Sequence, residues 1–312
     1  MQLKKSKFNL SFGLSGMVIF FLIGICNTSA QEPNLHGTPQ TKQEENFYYI
    51  GNENVKLGVD LNGGGSVFDF AETKSNRNLL NHYDKGRFIQ QSYYGIKDGS
   101  SWAGKPWRWN PVQGGGYKGE PAKLLERKLN NDHLWIRSRP KHWATGQDIQ
   151  DCIMEEDISL EGNVAHIRYR FIYSGTIDHP ESHQELPAVF VDYALPNLVF
   201  YSGLKPWTGD TLTTLIPGWP NKAEKSTENW AAYVDDHNWG IGVYTPGTGD
   251  MTTYRYKGDG KTGPKGSACS YFAPIRSFPI TKGKVYEYDV YLMIGTTEKI
   301  RSAFAKIHIV SD

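Results

Sequence analysis

Short runs in which apolar and polar residues alternate recur along most of this chain, and they constrain its fold more than any other feature. Residues 55–60 and 285–294 are clear examples. Successive side chains of a strand point to opposite faces, so a period of two predicts strands with one buried face. Only residues 297–307 have helical spacing, with Thr297 as the expected N-cap. The sequence therefore predicts an all-β, antiparallel fold with one short C-terminal helix.

Turn residues between these runs indicate which strands pair. Gly, Asn and Asp clusters favour tight turns and hairpins. The expected hairpins join residues 55–60 to 66–70, 151–160 to 164–173, and 230–234 to 239–244, with 134–139 beside 151–160. The sequence has no repeat of fixed period and no linker that would divide it. A single β domain over residues 47–312 is therefore predicted.

The N-terminal residues predict export. Three lysines precede the apolar run 17–25, and small residues follow at 28–30, which is typical of a signal peptide over residues 1–30. Residues 31–46 are polar and are expected to form a disordered leader. A secreted or periplasmic bacterial protein is predicted.

The sequence favours neither a lipid anchor nor a membrane span. Cys26 suggests a lipoprotein, but the bulky Ile25 precedes it where a small residue is expected, so this alternative is disfavoured. No later stretch reaches the ~20 apolar residues that a membrane span requires. A membrane span is therefore not expected.

Charge and composition exclude several classes of partner and cofactor. The chain has 34 basic and 33 acidic residues, so no strong field attracts nucleic acid. Cys152 and Cys269 either form one disulfide or remain separate thiols. No zinc-type spacing or phosphate-binding loop is present, so catalysis is expected to use side chains alone, with no cofactor or metal. The 9 Trp and 18 Tyr suit a sugar, because aromatic rings stack on the apolar faces of sugars.

The segment His183-Gln184-Glu185 lies where a polar loop becomes an apolar run. His183 and Glu185 are two residues apart, so on a strand they share one face. A second acidic strand contains Glu155 and Asp157 on one face and Glu156 on the other, and at least one of these carboxylates is expected to face inward or into a cleft. The predicted catalytic residues are Glu185, His183, Glu156 and Glu155.

Residues 87–94 form a strand rich in amides and phenols, and the loops that follow are rich in Trp and Gly. Loops of this kind on a rigid sheet often bind ligands. The predicted substrate-binding residues are Arg87, Gln90, Gln91, Tyr93, Tyr94, Trp109, Asn110, Gln113, His142, Trp143 and Trp207.

The order of these motifs resembles the galactose-mutarotase-like β-supersandwich. The resemblance rests on the Gly-rich hairpin 57–70, the Asn-Leu-Leu-Asn segment 78–81, the strand 86–91 and the hairpin strand 239–244. It implies a carbohydrate-active protein, because the superfamily includes sugar epimerases and domains of polysaccharide lyases and glycoside hydrolases. Fold alone does not name the reaction.

Three functions remain open from the sequence. The first is a polysaccharide-degrading glycoside hydrolase that uses paired carboxylates. The second is a polysaccharide lyase, in which His142 or His183 with Tyr93 or Tyr94 removes a proton and Arg87 neutralises a uronate. The third is a noncatalytic carbohydrate-binding protein. The expected partner in each case is a polysaccharide or oligosaccharide.

Overall fold

The computed structural model describes residues 43–44 and 46–311, so the predicted signal peptide and Cys26 lie outside the described residues. The described residues belong to one compact unit over residues 37–312. Its strands are β1 (Gln43–Glu44), β2 (Phe47–Gly51), β3 (Val55–Asp60), β4 (Val67–Glu72), β5 (Gln90–Ser92), β6 (Ser101–Trp102), β7 (Lys105–Pro106), β8 (Pro111–Val112), β9 (Lys123–Leu129), β10 (His133–Arg139), β11 (Lys141–His142), β12 (Cys152–Glu161), β13 (Val164–Tyr173), β14 (His179–Asp192), β15 (Asn197–Phe200), β16 (Thr213–Leu215), β17 (Lys222–Lys225), β18 (Trp230–Val234), β19 (Trp239–Tyr244), β20 (Asp250–Tyr256), β21 (Cys269–Ile280) and β22 (Val285–Thr296).

Two large antiparallel sheets make up most of the fold. One has nine strands in the order β16-β15-β18-β19-β22-β13-β12-β10-β9, and the other has seven in the order β11-β8-β5-β14-β21-β20-β17. A four-stranded sheet, β1-β2-β3-β4, joins the seven-stranded sheet through a bridge between Val67 and Ile89. The predicted all-β fold and the predicted hairpins are confirmed.

The main hydrophobic core contains inward-facing side chains of both large sheets. Tyr93 and Phe171 show this contact, because their rings stack with centroids 4.1 Å apart. Helix α1 (Thr297–Ser311) follows β22 and packs Ile300 and Phe304 against a second cluster that includes Trp230 of the nine-stranded sheet. The predicted C-terminal helix is confirmed and extends a turn beyond residue 307.

Three further observations bear on the sequence predictions. Strand β1 lies inside the segment predicted as a disordered leader, because Gln43 and Glu44 pair with β2, so the sheet begins before residue 47. Cys152 and Cys269 are both buried and free, so they do not form a disulfide. Among residues 43–44 and 46–311, no helix is long and apolar enough to cross a membrane.

Candidate functional site

A cavity of about 510 Å³ lies on the face of the seven-stranded sheet that points away from the main core. Strands β5, β8, β14, β20 and β21 supply its floor, and loops supply its walls. The residues that line the cavity are Asp84, Gly86, Arg87, Gln90, Ser92, Tyr94, Trp102, Trp107, Asn110, Val112, Trp143, Glu185, Ala188, Phe190, Trp219, Asn221, Tyr254, Tyr256 and Tyr271.

Glu185 is the carboxyl group on the floor of this cavity, and its side chain is partly exposed. The hydroxyl of Tyr271 donates to Glu185 Oε1 at 2.7 Å. Burial raises the pKa of Glu185 above its ordinary value, although hydrogen bonds from Tyr271, Tyr94 and Ser92 oppose the shift. A carboxyl group with a raised pKa can hold a proton at a pH where an ordinary glutamate has lost it.

An irregularity in β14 determines which side chains enter the cavity. Glu185 lies opposite Ser92, whereas Ala188 lies opposite Gln90, so three steps along β14 match two along β5. Pro187 lies in this segment and has no N–H to donate to a neighbouring strand. A bulge of this kind re-aims side chains, and here both Glu185 and Ala188 reach the cavity.

Strand β5 presents alternate side chains to the cavity. Gln90 and Ser92 of β5 line the cavity, and so does Tyr94, two residues beyond the end of the strand, as alternation along an extended chain requires. The amide of Gln90 is fully engaged, because its Oε1 accepts from Gly114 N at 2.6 Å and its Nε2 donates to Gly86 O at 2.6 Å. Gln90 therefore fixes the backbone of the loop that carries the other charged residues of the site.

Asp84 and Arg87 are the other two charged residues among the lining residues, and they pair with each other. Arg87 Nε lies 3.3 Å from Asp84 Oδ2, and Gly86 N donates to Asp84 Oδ1 at 2.9 Å. Burial raises the pKa of Asp84, although the Arg87 charge and the Gly86 N–H oppose the shift. The cavity thus holds two carboxyl groups in different surroundings: Glu185 among hydroxyls, and Asp84 beside a guanidinium.

Aromatic rings form two separate groups among the residues that line the cavity. Trp102 contacts Trp107 and Trp143, with centroids 4.8 and 6.0 Å apart. In the second group, Trp219 packs edge-on against Tyr254 at 5.0 Å and remains 60% exposed. An immobilised, exposed ring offers a stacking surface for a ligand.

The structure brings Glu185, Arg87, Gln90, Tyr94, Asn110 and Trp143 together in the cavity. Asn110 also has a structural role, because its Nδ2 donates to Tyr93 O at 2.8 Å and its Oδ1 accepts from Trp107 Nε1 at 3.2 Å. These six residues were all predicted from the sequence.

Glu155 and Glu156 are not part of the cavity, because β12 belongs to the other large sheet. Glu155 forms ion pairs with Arg170 at 3.0 Å and Arg137 at 3.5 Å. Glu156 points inward and is 0% exposed. Neither of its carboxyl oxygens forms a hydrogen bond with another described residue. Burial raises the pKa of Glu156 well above its ordinary value, although the Gln113 amide opposes the shift, so burial favours the protonated form. The predicted pairing of either residue with Glu185 is therefore not seen.

Three predicted binding residues point into the interior instead of the cavity. Gln91 Nε2 donates to Glu155 O at 3.0 Å, and Gln113 Nε2 donates to Gly64 O at 3.2 Å. Tyr93 is fully buried, and its hydroxyl donates to Gln91 Oε1 at 3.1 Å. Gln91 and Tyr93 lie on the face opposite to Gln90 and Tyr94, so they pack beneath the cavity floor.

Four further predicted residues lie outside the cavity lining. His183 is exposed further along β14. His142 is buried, with Nε2 2.7 Å from Asp98 Oδ2 and Nδ1 accepting from Ala144 N. The remaining two rings stack on other histidines, Trp109 on His179 and Trp207 on His308.

Several lining residues were not among the site residues predicted from the sequence. They are Asp84, Ser92, Trp102, Trp107, Phe190, Trp219, Asn221, Tyr254, Tyr256 and Tyr271. The Tyr271–Glu185 hydrogen bond joins residues 86 positions apart, and only the pairing of β14 with β21 brings them together. The tryptophan-rich stretch 102–109 was a signal for two of these residues. Within residues 43–44 and 46–311, no cluster of His, Cys, Asp or Glu is arranged to hold a metal ion.

Comparisons with known proteins identify the fold. No protein-family model matches this sequence, and no curated protein matches it. An Escherichia coli protein assigned provisionally as an aldose 1-epimerase is 10% identical, with a TM-score of 0.53, over 80% of this chain and 99% of that chain. A galactose mutarotase-like protein from Clostridium acetobutylicum is 9% identical, with a TM-score of 0.52, over 84% of this chain and 100% of that chain. The predicted galactose-mutarotase-like fold is therefore confirmed.

Proposed function

We propose that this protein is an exported glycoside hydrolase that cleaves a polysaccharide or oligosaccharide in the cavity above Glu185. The observation that carries the proposal is a partly exposed carboxyl group with a raised pKa, held by a tyrosine hydroxyl on the floor of an aromatic-walled cavity. The two solved structures described above belong to proteins named for sugar conversion, which agrees with a sugar as the ligand.

Glu185 is the proposed general acid. Hydrolysis breaks the bond between the anomeric carbon and the leaving oxygen, and Glu185 gives its proton to that oxygen. A raised pKa suits this role, because the carboxyl must be protonated before it reacts. The hydroxyl of Tyr271 orients the carboxyl through its 2.7 Å hydrogen bond.

Asp84 is the proposed second carboxylate, in place of the predicted Glu155 or Glu156. It takes a proton from water, whose oxygen then bonds to the anomeric carbon and completes the addition of water across the broken bond. Burial raises the pKa of Asp84, and the guanidinium of Arg87, with its Nε 3.3 Å from Asp84 Oδ2, opposes this shift and favours the ionised form that a base requires.

The lyase alternative has less support from the cavity. Its predicted histidines, His142 and His183, do not line the cavity, and neither does Tyr93. Tyr94 does line it, but burial and then the charge of Glu185 raise its pKa well above the ordinary value. A phenolate base at this position is therefore costly to form.

A screen of purified polysaccharides tests the proposal. Cleavage is measured as new reducing ends, and absorbance of unsaturated uronates is recorded in parallel. Hydrolysis predicts reducing ends without that absorbance. Unsaturated products would instead establish a lyase, and binding without any product would leave a carbohydrate-binding protein.

A further inference from the structure

We propose that the cavity accepts uncharged sugars and excludes uronates and sulfated sugars at the position above Glu185. This inference rests on the proposed function of the same cavity and adds the chemical class of its substrate. Its basis is the way in which the charged groups of the cavity are already paired.

Arg87 is the only cationic side chain among the lining residues, and its charge is already paired within the cavity. Its Nε lies 3.3 Å from Asp84 Oδ2, and its Nη1 donates to Ser267 O at 2.7 Å. The rings of Tyr83 and Tyr256 cover the guanidinium, with centroids 5.0 and 5.7 Å away. A bound carboxylate or sulfate would compete with Asp84 for the charge of Arg87.

Glu185 reinforces this exclusion, because its own hydrogen bonds come from neutral hydroxyls and not from a cation. An anionic substituent beside the protonated, uncharged Glu185 would be partly removed from water without a free cation to pair with, because Arg87 is already paired with Asp84. Sugar hydroxyls, in contrast, both donate and accept hydrogen bonds. They suit a floor made of Glu185, Tyr94 and Ser92.

The walls also suit an uncharged sugar chain. Trp219 keeps 60% of its surface exposed while Tyr254 and Tyr256 hold it from the side, with centroids 5.0 and 5.2 Å away. Such a ring stacks on the C–H face of a pyranose without any charge on the sugar. Arg108 is exposed and does not line the cavity, but its charge acts on the nearby Tyr94.

Matched pairs of polysaccharides test the inference on the intact protein. Polygalacturonate, alginate and glucuronoxylan are each used in native form and after chemical reduction of the carboxyl groups, with laminarin and galactan as neutral references. Binding is measured by affinity electrophoresis and cleavage by reducing ends. The wild type is expected to bind and cleave at least one neutral form, and to prefer that form over its charged counterpart by about tenfold or more.

The outcomes separate this inference from the hydrolase proposal. Preferential cleavage of a native uronate polymer would leave hydrolysis standing and overturn the uncharged substrate class. Charged polymers that bind the wild type through Arg108, as shown by loss of binding in Arg108→Ala, would overturn it in the same way. Binding of neutral forms without cleavage would overturn the hydrolase and keep the substrate class. Failure to bind any polymer would overturn both.

Discussion

Replacing the buried Glu156 with glutamine is expected to stabilise the protein at neutral pH. Glu156 was a catalytic candidate in the sequence, and the structure places it in the core, where both of its oxygens lack partners. It is so closely packed that a Cβ on Gly65, whose φ is +93°, would meet its Oε1. Burial therefore raises its pKa well above the ordinary 4.5.

The sign and size of the effect follow from proton linkage. Below pH 4.5 the carboxyl is protonated in both the folded and the unfolded state, so its titration costs nothing. At higher pH the unfolded chain releases the proton while the folded protein keeps it. The wild type then loses about 1.4 kcal/mol of unfolding free energy per pH unit, until the folded pKa is reached. Glu156→Gln lacks this loss, although its amide N–H groups must be accommodated at a cost of about 1–2 kcal/mol.

Urea unfolding followed by tryptophan fluorescence measures the difference between wild type and Glu156→Gln from pH 4.5 to 7.5. As pH rises above 4.5, the variant should gain on the wild type by about 1.4 kcal/mol per pH unit until the folded pKa of Glu156 is reached. Glu155→Gln is the matched control on the opposite face of β12. It removes ion pairs to Arg137 and Arg170 and should lower stability at pH 7 by up to about 1 kcal/mol. A Glu156→Gln difference that does not change with pH would refute the assignment of Glu156 as a buried neutral acid.

Three further predictions follow from the site and its support. The value of kcat/KM should fall as pH rises through the raised pKa of Glu185, because a general acid must be protonated. A kcat/KM that rises across pH 5–8 would contradict this role. Trp219→Ala should raise KM about fivefold through loss of about 1 kcal/mol of ring stacking. Leu204 is exposed and lies outside the cavity, so Leu204→Ala should leave KM unchanged. Equal KM values in both variants would contradict the stacking role of Trp219. Glu228→Ala should lower the unfolding free energy by about 3–5 kcal/mol in urea titrations, because the guanidinium of Arg301, 2.6 Å away, loses its buried partner. A loss below about 1 kcal/mol would contradict a stabilising role for this ion pair.

Local patterns in the sequence were sufficient to predict many of the strands and the helix, but not β9, β16, β17 or β20. Alternation of apolar and polar residues identified β3, β13 and β22, since the buried face of each strand requires it. Turn residues between adjacent runs identified the hairpins for the same kind of local reason. The overall resemblance to a β-supersandwich also depended on the order of these local elements.

The candidate site was predicted only in part, because its geometry depends on pairing between distant strands. Strand alternation alone could not tell which face of β5 meets the core, so Gln91 and Tyr93 were predicted together with Gln90 and Tyr94. The bulge after Glu185 changes which residues of β14 face outward, and no local pattern specifies it.

The acidic strand shows the same limit for catalytic residues. Alternation correctly placed Glu155 and Glu156 on opposite faces, with one of them facing inward. It could not show that β12 lies in a different sheet from β14, which separates both residues from Glu185. Asp84 was overlooked because a loop carries it to the cavity, and Gln90 holds that loop from a different element.

The most direct test of the account compares kcat/KM of Glu185→Gln and Glu156→Gln on the polysaccharide that the wild type cleaves best. Both variants make the same chemical change, one in the cavity and one in the core. Glu185→Gln should lose at least about a hundredfold in kcat/KM through loss of the general acid, while its affinity for the polysaccharide stays within a few fold. Glu156→Gln should keep nearly all of the wild-type activity. Retention of activity within tenfold in Glu185→Gln would contradict the assignment of Glu185 as the acid.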